Sequence, residues 1–108
     1  MYNFGSIPFF ASNNNLVEKN PSGLPSCTVP PSLSGEPTPG RVISVNLGTW
    51  TNDPTRYSYD WYLDGVFVST ERTYEPSIKD VGKYIKCVVT AGNLIGKSSA
   101  STRSALIR

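Results

Sequence analysis

Apolar and polar residues alternate with a period of two in three stretches of this chain, and no 3.6-residue apolar period lasts beyond a turn. Between Tyr57 and Leu63, the side chains of Tyr57, Tyr59, Trp61 and Leu63 share one face, and Ser58, Asp60 and Tyr62 share the other. From Lys83 to Ala91 the same rule sends Ile85, Cys87 and Val89 inward and Tyr84, Lys86 and Val88 outward. A third stretch, Arg41 to Leu47, alternates and stops at Gly48. Each predicts a strand with one face on a core. Between Leu63 and Val66 stands Asp64-Gly65, the strongest hairpin signal in the chain, because a type I′ turn needs positive φ at both central residues.

The remaining strands follow from the turns that bound them. Ser32 to Gly35, after Pro30-Pro31, reads as a short first strand, at an edge where prolines are tolerated. Pro37 to Gly40 is a turn, and 49–54 crosses between sheets with Trp50 capping the core. Val66 to Val68 returns from the hairpin. Arg72 to Ile78 alternates with Tyr74 and Ile78 inward, and Asp80-Val81-Gly82 turns the corner into the central strand. Gly92 to Gly96 is a hairpin connection into a last strand, Lys97 to about Ile107, rich in Ser, Thr and Ala. The expected core is Trp50, Trp61, Tyr74, Ile85, Cys87 and Val89.

Length and composition bound the function. At 108 residues, with 38% hydrophobic and 17% charged residues, nine Gly and nine Pro, the chain suits one domain of short strands. A net charge of +2 with scattered basic residues offers no stripe for nucleic acid. No apolar run reaches the roughly 18 residues that span a bilayer. The first 12 residues hold no Lys or Arg and are broken by Gly5 and Pro8, so no secretory signal is expected and synthesis in a cytoplasm is. Histidine is absent, and the carboxylates Asp53, Asp60, Asp64, Glu71, Glu75 and Asp80 fall at turns or beside outward positions. No phosphate loop, nucleophile elbow or Cys-x-x-Cys pair occurs. The expectation is a binding protein, with no enzyme activity, cofactor or metal.

Three pieces, Gly48-Thr49-Trp50, Tyr59-Asp60-Trp61-Tyr62-Leu63-Asp64-Gly65 and Asp80-Val81-Gly82-Lys83, carry a family resemblance. Together they resemble the bacterial and bacteriophage immunoglobulin-like domains, over roughly residues 29–107. The resemblance implies an all-β fold, an immunoglobulin-like β-sandwich of about seven strands, here preceded by an extended N-terminal arm: 1–28 as arm and 29–108 as sandwich. Antibody domains bridge a Cys of the second strand to one on the sixth. Here the Arg41 to Leu47 strand has no Cys, Cys27 precedes the first strand, and Cys87 stands seven residues after Asp80 rather than six. The expected state is a buried apolar Cys87 and a free Cys27 thiol; the alternative is a Cys27–Cys87 bridge.

Domains of this family are frequent on tailed-bacteriophage particles, as head decoration proteins and as appendages of tail proteins. The arm fits such a role. Tyr2, Phe4, Phe9 and Phe10 are four of the chain's twelve aromatics, and with Ile7 they form a segment too apolar to be left in water. The first expected function is a virion structural protein whose arm docks on the major capsid protein, another virion protein or neighbouring copies of itself. The alternative docking is back over the arm's own sandwich. A second function class is a carbohydrate or cell-surface adhesion module, with Tyr62 and Phe67 as the platform for a weak host-surface glycan, and with 52–57 and 91–98 as contact loops. No membrane and no nucleic acid partner is expected, and the expected location is the virion.

Overall fold

The structure, a computed structural model, describes residues 22–108. Tyr2, Phe4, Ile7, Phe9 and Phe10 lie outside the described residues. In chain order the strands are β1 (Cys27–Val29), β2 (Ser32–Ser34), β3 (Ile43–Asn46), β4 (Thr49–Trp50), β5 (Arg56–Leu63), β6 (Val66–Ser69), β7 (Thr73–Tyr74), β8 (Tyr84–Gly92), β9 (Lys97–Ser101) and β10 (Ala105–Leu106). A single turn of 3₁₀ helix, Ile78–Asp80, precedes β8.

The two long alternating strands set the architecture. β5 and β8 pair antiparallel from Arg56 opposite Gly92 to Leu63 opposite Ile85, so their inward residues share one face. β6 adds outside β5, β9 outside β8, and β10 continues along β8, giving the order β9-β8-β5-β6. The opposing sheet is β2-β3-β7, and β1 pairs with β4 beside it. Ile43 and Val45 of β3 meet Trp61 and Leu63 of β5, Ile85, Cys87 and Val89 of β8, and Ile107, in one apolar cluster between the sheets. The result is an all-β fold of antiparallel sheets, consistent with a β-sandwich. Each large side chain buried in that cluster contributes roughly 1.5–3 kcal/mol of transfer free energy.

Turn chemistry fixes the registers. Asp64 at φ 48° and Gly65 at φ 81° make the two-residue turn between β5 and β6. Asp64 also clamps the neighbouring strand, its Oδ1 accepting from the Tyr84 amide at 2.9 Å while its own amide donates to Tyr84 O at 2.8 Å. Gly48 sits at φ 78° with its α-carbon so close to β1 that a β-carbon would lie 2.1 Å from Val29 O. Only glycine permits that approach.

Three expectations need correction. The last strand, expected from Lys97 to about Ile107, breaks at the buried Thr102, whose hydroxyl accepts from the Cys87 amide at 3.1 Å and donates to Arg103 O at 2.9 Å. That side chain takes a ladder position, and pairing resumes at Ala105 opposite Ile85. Ile78, expected inward with Tyr74, is 81% exposed, because the 3₁₀ turn beginning there rotates Asp80 inward instead. Residues 22–28, assigned to the arm, are part of the folded body: β1 pairs with β4, and the Thr51 amide donates to Ser26 O at 2.9 Å.

Candidate interaction surface

The outward face of the five-stranded sheet carries the most concentrated exposed aromatic surface of the described chain. A register shift in the β5–β6 hairpin sets Trp61 opposite Ser69 but Tyr62 opposite Phe67. The bulge brings the two rings together, with centroids 6.0 Å apart and planes at 67°, an edge-to-face contact worth about 0.5–1.5 kcal/mol beyond burial. Phe67 is 52% exposed, flanked by exposed Val66 and Val68. Lys86 lies opposite Tyr62, and Asp60 stands opposite Val88 one position along. Phe67, Tyr62 and Lys86 therefore form a row across three strands: two rings, then an ammonium. Tyr84 and Leu106, also exposed, extend the apolar surface on β8 and β10.

The expected core residues do not all share one environment. Trp61, Ile85, Cys87 and Val89 have no exposed surface, while Trp50 and Tyr74 are partly buried and pack against the cluster. Both indole nitrogens are satisfied by backbone, Trp61 Nε1 donating to Glu71 O at 2.6 Å and Trp50 Nε1 to Leu47 O at 2.8 Å. Tyr74 stacks on Trp61 with centroids 5.8 Å apart. Both cysteines are free. Burial pushes the Cys87 thiol up to about 11, and Cys27 Sγ lies 3.1 Å from Val29 O.

The one buried carboxylate among the described residues, Asp80, is engaged within the fold. Asp80 Oδ2 accepts from Tyr74 Oη at 2.7 Å and from the Ser77 amide at 3.0 Å. Desolvation works to raise the Asp80 pKa, yet the hydrogen bonds from Ser77 and Tyr74 and the charge of Lys83 outweigh it and hold the carboxyl below its ordinary range. Desolvation, with the bond to Asp80, pushes Tyr74 up to about 12. Among the described residues, no three His, Cys, Asp or Glu side chains form a group suited to a metal ion, and no helix is long and apolar enough to cross a membrane.

Sequence reasoning treated Asn93 as an ordinary loop residue; it is 1% exposed and knots three segments together. Its Nδ2 donates to Gly23 O at 2.9 Å and Asn52 O at 3.0 Å, and its Oδ1 accepts from the amides of Ile95 at 2.8 Å and Gly96 at 3.2 Å. Asn52, at φ 61°, in turn donates to Leu24 O at 2.9 Å. The loops 52–57 and 91–98, expected to be free for contacts, are thus braced at their base, with Leu94 and Ile95 left exposed at the tip.

Farther along the molecule a groove of about 660 Å³ opens between the two sheets, lined by Pro30, Pro31, Ser32 and Leu33 on one side and 101–105 on the other. It was not foreseen, because it comes from two strand edges that do not meet. No family model matches the chain, and no curated protein and no solved structure matches it.

Proposed function

We propose that this chain is a non-enzymatic virion structural protein: an immunoglobulin-like domain that decorates a bacteriophage capsid. It is held on the major capsid protein, or another virion protein, through Tyr2, Phe4, Ile7, Phe9 and Phe10. The observation that carries the reading is that residues 43–107 supply the buried apolar cluster of the described chain, while four of the twelve aromatics crowd into the first ten residues. Apolar surface of that kind matches the buried centres of protein interfaces. An immunoglobulin-like topology is supported by the order β9-β8-β5-β6 facing β2-β3-β7, which follows the G-F-C-C′ and A-B-E arrangement of such domains. The family resemblance of 48–50, 59–65 and 80–83 supports the phage setting. A modest contact repeated over a symmetric shell gains avidity. The proposed location is the virion, after synthesis in the host cytoplasm.

The test compares co-sedimentation with purified capsids for the full chain and for a chain starting at Ser22, which keeps the braces to Asn52 and Asn93. Loss of sedimentation in a shortened chain with an unchanged circular-dichroism spectrum is the expected result; retained sedimentation refutes the anchor.

A second reading, adhesion to a host-surface glycan, is favoured by the pairing of the half-buried Tyr62 with the exposed Phe67 beside Lys86. Aromatic faces pack on sugar C–H groups, and an ammonium next to them serves hydroxyl or carboxylate substituents. Glycan-array binding that disappears in Tyr62→Ala and in Phe67→Ala is expected under this reading, and no array signal from the full chain eliminates it.

A further inference from the structure

We infer that the groove between β2 and the β9–β10 edge is a docking slot for residues 2–10 of the same chain, which occupy it while the protein is free of any particle. The groove has the chemistry of a strand acceptor with an aromatic pocket. Its floor is apolar, from Pro30, Pro31, Leu33 and Ala105, and Leu33 and Ala105 are themselves packed on the core cluster. Its two walls are strand edges with different capacities. Among the described residues β2 pairs with β3 only, and the two prolines before it carry no N–H. The opposite wall does offer donors: the amides of Thr102 and Ile107 donate to Cys87 O on β8 and to Lys83 O just before it, so the alternation of an antiparallel ladder turns the amides of Ser101 and Ser104 outward. An extended segment entering here pairs with the 101–104 edge and drops alternate side chains onto the apolar floor.

The occupant follows from sequence and reach. Tyr2, Phe4, Ile7, Phe9 and Phe10 supply bulky apolar side chains in a segment with no charged residue among positions 1–10. The described chain starts at Ser22, whose Oγ donates to Asn52 Oδ1, and Pro25 is tied to β9 through Ser98 Oγ. From Ser98 to Ser104 is about 20 Å at the usual strand rise, and Ser22 to Pro25 adds about 10 Å at most. The eleven residues of 11–21 extend to roughly 36 Å or more, so the segment reaches the groove of its own molecule. Tethering raises its local concentration to roughly millimolar, which favours the intramolecular site over a second copy at ordinary protein concentrations. The slot keeps the aromatics out of water until a partner competes for them. It holds or fails whatever that partner is, since it concerns the free protein.

The test is amide hydrogen exchange read by mass spectrometry on the full chain, on Phe9→Ser/Phe10→Ser and on Ser32→Glu. Ser32 is exposed and lines the groove, so the glutamate charges the slot and leaves the core intact. The peptide covering 101–105 is expected to exchange at least about tenfold faster in both variants than in the unaltered chain, with unchanged exchange around Cys87 and Val89 and the light-scattering mass of one chain across a roughly hundredfold dilution. Equal exchange at 101–105 in all three proteins overturns the inference. So does protection that fades on dilution together with a mass above one chain, which assigns the slot to a second copy. Capsid sedimentation is a separate readout, and its failure leaves this result untouched.

Discussion

The seam between the two sheets is closed by polar groups near Asn93 and left open between β2 and β10, and the contrast shows what a sandwich of this size needs to hold its edges together. At the closed end, Asn93 spends both ends of its amide on four backbone groups from three segments, and Ser98 and Thr51 hold the carbonyls of Pro25 and Ser26. The buried ring of Pro25 adds apolar contact to these directional bonds. At the open end, Leu33 and Ala105 contact the core from opposite walls with no pairing between the strands that carry them. A prolyl pair on one side and the Thr102 break on the other keep the edges apart. One end is therefore fixed by directional bonds that tolerate little change, and the other keeps two strand edges that do not pair with each other.

The largest effect should come from the closed end. Asn93→Ala orphans two carbonyls and two amides in a buried position, and a loss of about 3 kcal/mol in urea unfolding is expected. A loss under about 1 kcal/mol means that the knot does not hold the seam. Next comes Tyr74→Phe, with a loss of about 1 kcal/mol at neutral pH and an effect on pH dependence that the Asn93 knot, built from amides, cannot produce. Tyr74 is raised from 10.0 to about 12, so its contribution is whole below pH 10.0 and lost as pH climbs toward about 12. Asp80 is lowered from 3.8, so its contribution is whole above that pH and lost as pH falls through the folded value. Stability profiles against pH should lose part of the alkaline limb in Tyr74→Phe and part of the acid limb in Asp80→Asn. An unchanged limb in either variant removes the pair as the titrating element. The smallest effect belongs to the open wall: Arg103→Ala should stay within about 0.5 kcal/mol of the unaltered chain.

The two ends also differ in how far the sequence exposes them. The alternation from Tyr57 to Leu63 and from Lys83 to Ala91 is written in side chains, and the strands, their inward faces and the Asp64-Gly65 turn are legible from it. Residues 22–28 attach differently. Gly23, Leu24, Pro25 and Ser26 are all held through their carbonyl oxygens, and a carbonyl is common to every residue, so no side-chain pattern reports the contact. Asn93 misleads for the opposite reason. A Gly-Asn-Leu-Ile-Gly run has the composition of an exposed hairpin connection, and only the arrival of Gly23 and Asn52 from distant positions buries the amide. Thr102 suits a strand by propensity, so its use as a hydrogen-bonding break is silent in the sequence. Of the candidate surface, the outward positions of Tyr62 and Phe67 follow from the period, but the bulge that brings their rings to 6.0 Å does not.

The sulfur chemistry of the core has a consequence for when the fold is complete. With Cys87 sealed between Trp61 and its neighbours, its thiol pushed up to about 11 and Cys27 unbridged, the described fold is held together without a disulfide. Formation of this fold then needs no disulfide oxidation. Its strands and apolar cluster alone must hold the two sheets together, and reductant should leave its melting temperature unmoved.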